Sequence, residues 1–439
     1  MRRLLTFLAL ALLLPAGLVR AQGLDIGIVS GREGALPIAI VPMPYLGTNV
    51  APDTDVAAVI RADLNRSGQF NALSEQDVIE KPIRGGEINF PTWRVLKQDF
   101  IVVGRVLDSA DGGYRVEYEL YDVAKQQRLL GMAVDGHARG MRGVAHQIAD
   151  QIYEKILGVR GAFWTRIAYV IANGVGEGTR YSLVLADADG FNPHVLIPNR
   201  AEPILSPAWS PDGRKVAFVS FRRGNSSIYI IDIYSGVGFE TPIASFRGIN
   251  GAPAFSPDGR KLALTLSKSG NPEIYVMDLA SKQLTQVTRH YGIDTEAVWT
   301  PDGQSLVFTS DRAGKPQLYQ VPATGGDATR VSFQGDSNAR ASISFDGKKI
   351  AMAQGSGNVY RIAVLDRSFG GAGRWSTLSP GNLDESPSFA PNASMLLYAT
   401  KEGRRGVLYA ASADGRVRQR LVSAEGDVRE PAWSPYRQR

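Results

Sequence analysis

AWSPDG (208–213), within ILSPAWSPDGRKVAFVS (204–220), decides the fold because it returns along the chain. AFSPDG follows with its proline at Pro257, VWTPDG at Pro301, SISFDG with Phe345 in the proline place, SFAPNA at Pro391 and AWSPYR at Pro435. The spacings from Pro211 onward are 46, 44, 44, 46 and 44 residues. After each turn comes an apolar stretch such as KVAFVS (215–220) or KLALTL (261–266), then a Gly-containing loop, then IYIID (228–232) or IYVMD (274–278). Short strands, roughly four to a period in the forties, are the pattern of a β-propeller blade. Asp-Gly marks a hairpin, since Gly takes positive φ without a Cβ clash and Asp caps such turns. The bulky residue two places before the proline (Trp209, Phe255, Trp299, Ile343, Phe389 or Trp433) is placed to pack between blades. Six copies fit scaffolding better than a catalytic site.

The last copy reaches Arg439 and supplies a single strand. RIAYVIANGVGEGTRYSLVLADADG (166–190) reads as a second and third strand lacking a first, with HVLIPN (194–199) as a fourth. Pairing these with the carboxyl-terminal strand completes six blades and closes the ring, so that no sheet edge is left open between the two ends. Residues 35–162 do not share the period. PIAIVPM (37–43), FIVVGRVL (100–107) and YRVEYELYDV (114–123) read as strands, while 53–70 and 144–158 have helical apolar spacing with Gly68 and Gly158 near their ends. The expected fold is an α/β amino-terminal domain plus an all-β six-bladed β-propeller over 163–439, closed by the carboxyl-terminal strand.

Residues 1–21 carry Arg2 and Arg3, an apolar run from Leu4 to Leu14 and small residues ahead of Ala21, the layout of a secretory signal, and the run is too short to span a bilayer. No cysteine occurs, which excludes a disulfide framework, a thiolate metal site and a lipid-modified amino terminus. Without Arg2, Arg3 and Arg20 the 49 basic residues fall to 46 against 43 acidic ones, which is no nucleic-acid footprint. Export without a later spanning run points to the periplasm. Residues 22–34, QGLDIGIVSGREG, form either a mobile arm or a first edge strand.

The first strand of each blade lies nearest the propeller axis. Three places before each proline stand Ala208, Ala254, Val298, Ser342, Ser388 and Ala432, small enough for six strands to converge. Two places earlier, on the same face by strict alternation, stand Ser206, Ala252, Glu296, Arg340, Ser386 and Glu430, expected to point into a funnel. Spacing alone leaves two readings open, a solvated rim with internal Glu/Arg pairing or a binding site.

GVRGAFWTRIAYV (158–170), ILSPAWSPDGRKVAFV (204–219), NGAPAFSPDGRKLALTLSKSG (250–270), NPEIYVMDLAS (271–281), TEAVWTPDG (295–303) and PAWSPY (431–436) closely resemble the TolB family of periplasmic propellers, and the match covers essentially the whole chain beyond residue 21. The resemblance implies a non-enzymatic binding protein of the Tol-Pal system, without cofactor or metal. Its implied partners are the peptidoglycan-associated lipoprotein Pal at the propeller and TolA at the amino-terminal arm, in support of outer-membrane integrity and constriction at division. Colicins borrow the Pal-binding face in some species. By the same resemblance Thr295 and Glu296 match a Thr-Glu used toward Pal, and Leu205, Asn250 and Ala252 fall in equivalent loops. With the funnel positions, the implied Pal site is Leu205, Ser206, Asn250, Ala252, Thr295, Glu296, Arg340, Ser386 and Glu430. The implied TolA site is Gln22, Leu24, Asp25, Ile26, Ile28, Val29 and Glu33. One departure is Ile249, where some members carry His, so that an apolar contact takes the place of a polar one.

The alternative is a propeller enzyme. A peptidase-type propeller precedes a hydrolase domain with a G-x-S-x-G elbow, and no such motif occurs. His137, His146, His194 and His290 are scattered between two domains and read as surface or turn residues. A metal-dependent lactonase would place an ion among Glu296, Glu430 and Asn250, and Arg340 at the same level opposes that.

Overall fold

A five-stranded mixed sheet opens the part of the chain described by a computed structural model, which covers residues 26–28, 34–421 and 426–438. Its order is Phe70–Ala72, Leu36–Ile40, Phe100–Asp108, Tyr114–Asp122 and Gln127–Gly136, parallel across the first three strands and antiparallel beyond. Helix α1 (Val56–Arg66) starts where the Asp55 carboxylate accepts the Ala58 N–H at 3.0 Å. Helix α2 (Phe90–Val95) begins on Asn89-Phe90-Pro91 and is too short to show apolar periodicity, as is the Phe70–Ala72 strand. Gln127–Gly136 is missed because its outward residues are exposed and the alternation is weak. Helix α3 (Met141–Leu157) ends on Gly158, whose φ of 73° places it in the left-handed region.

Six blades follow. Blade 1 joins Asp427–Trp433 antiparallel to Arg166–Asn173, with Trp433 opposite Ile167 and Asp427 opposite Ala172, then continues through Arg180–Asp187 and His194–Arg200. This closes the ring between its two ends. Blades 2 to 6 begin with Ile204–Trp209, Asn250–Phe255, Asp294–Trp299, Ser337–Ile343 and Glu385–Phe389. Blade 2 has three strands instead of four. Residues 233–246, with Gly236, Gly238 and Pro242, replace the fourth by a loop that touches the edge at an Ile228–Ala244 bridge.

The repeated phrase works as scaffolding, with a part for its hydroxyl that the Asp-Gly signal does not show. Ser210 Oγ donates to Asp212 Oδ1 at 2.5 Å and accepts the Lys215 N–H at 2.9 Å. The same small ring recurs at Ser256 with Asp258, Thr300 with Asp302 and Ser344 with Asp346. Gly213, at φ 66°, makes the turn possible. Two tryptophans tie neighboring blades together, Trp209 Nε1 donating to the Ala432 carbonyl at 3.1 Å and Trp299 Nε1 to the Ala254 carbonyl at 3.0 Å, while Trp433 Nε1 donates to Thr165 Oγ1 at 2.8 Å within blade 1, where the two ends of the ring meet.

The amino-terminal domain packs on blades 6 and 1 through one continuous apolar cluster that includes Leu64, Phe70, Ile148 and Ile152 on its side and Met395, Leu397, Leu408 and Val428 on the propeller. Charge is buried at the same junction. His146 Nδ1 lies 2.6 Å from Asp63 Oδ2, Arg66 donates to Asp63 Oδ1 at 2.8 Å, and His146 Nε2 stands 3.6 Å from Asp189 of the propeller, which also pairs with Arg142. Asp63, Arg66 and His146 are each no more than 2% exposed. His146 is therefore a buried junction residue, contrary to the surface or turn role expected from sequence. The linker is held by Asp150, which accepts the Phe163 N–H at 2.7 Å and the Trp164 N–H at 3.3 Å; burial pushes its carboxyl up to about 7.

Ile26–Ile28 adds a fifth strand to blade 6, antiparallel to Val417–Arg420, with Ile26 opposite Gln419 and Ile28 opposite Val417. Of the two readings kept open for residues 22–34, the edge strand is seen at these three positions. Gln22, Leu24, Asp25, Val29 and Glu33 lie outside the described residues.

Candidate functional site: the propeller funnel

Each first strand carries a bulge next to the axis. In blade 2, Leu205 pairs with Val219 and Ala208 with Ala217, so that Ser206 and Pro207 together face the single residue Phe218. The same register shift occurs in blades 1 and 3 to 6. The residue opening each bulge is Ser206, Ala252, Glu296, Arg340, Ser386 or Glu430, and all six have left-handed backbone with φ from 43° to 57°. These are the six residues expected at the funnel, but strict alternation is not what aims them. A non-glycine side chain held at positive φ costs about 1 kcal/mol, and six in register mark a site whose geometry the ring imposes. Ala252 has no polar head group to lose, so Ala252→Gly is expected to leave stability unchanged or raise it by up to about 1 kcal/mol. A loss beyond that in denaturant unfolding would place the strain elsewhere.

All six residues line one cavity of about 530 Å³ on the axis. Arg340 crosses it. Its Nε donates to Glu296 Oε1 at 3.1 Å, and its Nη1 donates to Glu430 Oε1 at 3.1 Å and to Ser386 Oγ. Glu430 Oε2 accepts the Ser206 N–H at 3.1 Å, and Glu296 Oε2 accepts from Thr309 Oγ1 at 3.2 Å. Burial alone would lower the pKa of Arg340, but Glu430, Glu296 and Glu385 hold it above its ordinary value. Glu296 and Glu430 have blades 5 and 6 between them on one side, and the guanidinium stands where a shared ion would have to sit. The belt couples blades 4, 5, 6, 1 and 2, and in blade 3 Ala252 leaves the ring without a polar side chain.

The structure therefore contains the internal Glu/Arg pairing that spacing allowed, within the axial cavity. Asn250 is different. It is fully buried, with Oδ1 accepting the Phe246 N–H at 2.8 Å and Nδ2 donating to the Phe246 carbonyl at 2.7 Å. Its expected contact with a partner is corrected: the side chain shapes the 246–250 loop and acts only through what that loop presents. Asp294, Asn338 and Asp384 are buried in the corresponding places of blades 4 to 6. Thr295 is partly buried with its hydroxyl 3.3 Å from that of Thr265, and Leu205 is packed in the cluster between blades 2 and 3.

Of an apolar rim, sequence reasoning found only Ile249. Val175, Ile249, Tyr291, Ile293, Tyr360 and Leu383 are exposed on segments at the end of the propeller where the first strands begin. Ile249, Ile293 and Leu383 stand one or two residues ahead of those strands, and an apolar residue directly before a strand that does not need it for packing was the available signal. Exposed apolar side chains gathered at one end of the propeller mark a candidate docking surface.

The family model described as the TolB amino-terminal domain matches residues 24–129, and the TolB beta propeller domain matches 153–437. The chain belongs to the TolB family. It is 66% identical over 428 residues to the Tol-Pal system protein TolB of Xanthomonas campestris pv. campestris (strain B100), covering 97% of each chain. The same protein of Xanthomonas oryzae pv. oryzae (strain PXO99A) is 66% identical over 427 residues, covering 97% of this chain and 96% of that one. Among solved structures, the crystal structure of TolB from Acinetobacter baumannii superposes with a TM-score of 0.84 at 43% identity, over 94% of this chain and 100% of that one. As a TolB-family chain it is a non-enzymatic propeller protein of the Tol-Pal system, associated with the cell envelope. The propeller-enzyme alternatives are set aside on these grounds.

Proposed function

We propose that this TolB-family chain is a periplasmic adaptor, exported through residues 1–21, that binds the lipoprotein Pal at the funnel and TolA through residues 22–33, and so supports outer-membrane integrity and constriction at division. Residues 22–34 are taken as the arm, 35–162 as the α/β domain and 163–439 as the propeller. The observation that carries the Pal assignment is the set of six bulged first-strand residues around Arg340, with exposed apolar side chains at the end of the propeller where the first strands begin.

The arm assignment is supported by a different feature. Among the described residues, Ile26–Ile28 pair with the edge of blade 6. Backbone hydrogen bonds of this kind are each worth about 1 kcal/mol net, so an edge strand can be exchanged for pairing with a partner at modest cost. Arm release and Pal occupancy, if coupled, change each other's affinity by the same factor. Deleting residues 22–33 is expected to abolish TolA capture, read by calorimetry, while Pal binding persists. Unchanged TolA affinity after the deletion would refute the arm assignment.

A further inference from the structure

At the end of the propeller where the first strands finish, beneath the strand that closes the ring, four arginines converge on two adjoining hollows of about 410 Å³ each. Trp164, Arg166, Tyr234 and Arg437 line both and form the wall between them. Arg214 lines the first hollow and Arg139, from the amino-terminal domain, the second. Only Arg437 has a carboxylate partner, donating to Asp187 Oδ1 at 2.6 Å. Arg139, Arg166 and Arg214 form no ion pair among the described residues. Arg166 reaches no more than the Tyr234 hydroxyl, at 3.4 Å, and Arg214 lies 5.7 Å from the Tyr234 ring center. Burial and the neighboring charge of Arg166 push the Arg437 guanidinium below its ordinary value, as expected where positive charge is concentrated without enough counter-charge.

We propose that this double hollow is a second docking site, beside the axial cavity with which it shares Trp209 and Pro435, for an acidic peptide segment of a partner protein. Arginine forks take carboxylates in paired hydrogen bonds, and here Arg166 and Arg214 lie over the Tyr234 ring without an ion pair, with Asp212 and Asp187 as the acids among four arginines. The elongated shape, with Trp164 and Tyr234 at its middle and Trp209, Pro435, Leu185 and Ile233 along its sides, suits an extended chain that places apolar side chains between its acids. A lipid headgroup would use the charge but not these walls, and a bilayer surface does not enter a concave cleft.

The test is fluorescence anisotropy with the purified chain and a labeled decapeptide of Asp and Glu containing one Trp. Saturable binding is expected, at least tenfold tighter than for the Asn/Gln version of the peptide. The double variant Arg166→Glu/Arg214→Glu should weaken it tenfold or more with an unchanged thermal midpoint. If that variant unfolds, Arg139→Gln/Arg214→Gln, which alters exposed side chains only, should still weaken binding severalfold. Equal affinity for the two peptides, or for wild type and a folded variant, would overturn the proposal. So would recruitment to phosphatidylglycerol vesicles without peptide binding, which would assign the site to a lipid surface.

Discussion

Asp63→Ala is expected to destabilize the protein by about 3–5 kcal/mol, the largest effect of any single change at the junction between the two domains. Asp63 is 2% exposed and serves two cationic or proton-bearing partners, Arg66 at 2.8 Å and His146 at 2.6 Å. Removing it strands Arg66, whose Nε and Nη1 already lack hydrogen-bond partners among the described residues, in a site that water does not reach. Denaturant unfolding measures the loss, and a value below about 1 kcal/mol would show that the junction rehydrates freely. The pH dependence follows from His146. Burial alone would depress its pKa, but Asp63 and Asp189 more than offset this and raise it. A group with a raised folded pKa contributes stability that is fully present below its ordinary value, about 6.5, and is lost as pH rises through the folded value. Asp150, raised by burial to about 7, acts in the same direction between its ordinary range and neutrality. The junction should therefore tighten as pH falls from 8 toward 6, and Asp63→Ala should flatten that response.

Glu296→Arg is expected to weaken Pal binding about a hundredfold, close to 3 kcal/mol, on the proposal that the funnel is the Pal site. The substitution sets a second guanidinium against Arg340, which now donates to Glu296 at 3.1 Å, and frees Thr309 from its acceptor. Two cations would then share the Glu430 carboxylate across an axis only six strands wide. The pair is about one-third exposed, so solvent screening keeps the stability cost to about 1 kcal/mol, and the variant should remain folded for the measurement. Calorimetry with purified Pal gives the answer. Affinity within threefold of wild type would remove Glu296 from the interface and leave the Arg340 belt as a structural tie between blades.

Much of the site could be read from one period. The positions two places before the small axial residues were legible because every copy of the phrase repeats its distance from Pro211 to Pro435, and the ring brings equal positions to one level. What turns those side chains inward was not legible. Ser206, Ala252, Glu296, Arg340, Ser386 and Glu430 are not residues that favor left-handed backbone, so local propensity gave no hint of a bulge. Asn250 was named as a contact residue by resemblance alone; its side chain is buried, and that burial depends on the 246–250 loop folding back over it.

The sequence by itself determined the architecture of this protein. Repeats of 44 and 46 residues, with Asp-Gly turns and one unpaired terminal strand, admit one economical closure, because hairpin chemistry and strand count are local and additive along the chain. Tertiary structure alone decided three things: that Arg340 spans the axis to Glu296 and Glu430, that His146 is sealed between Asp63 and Asp189, and that Arg139, Arg166, Arg214 and Arg437 meet at one cleft. In each case the partners are far apart in sequence, and each set draws on more than one blade or domain. No local pattern encodes such distances; ring closure and the docking of the amino-terminal domain set them.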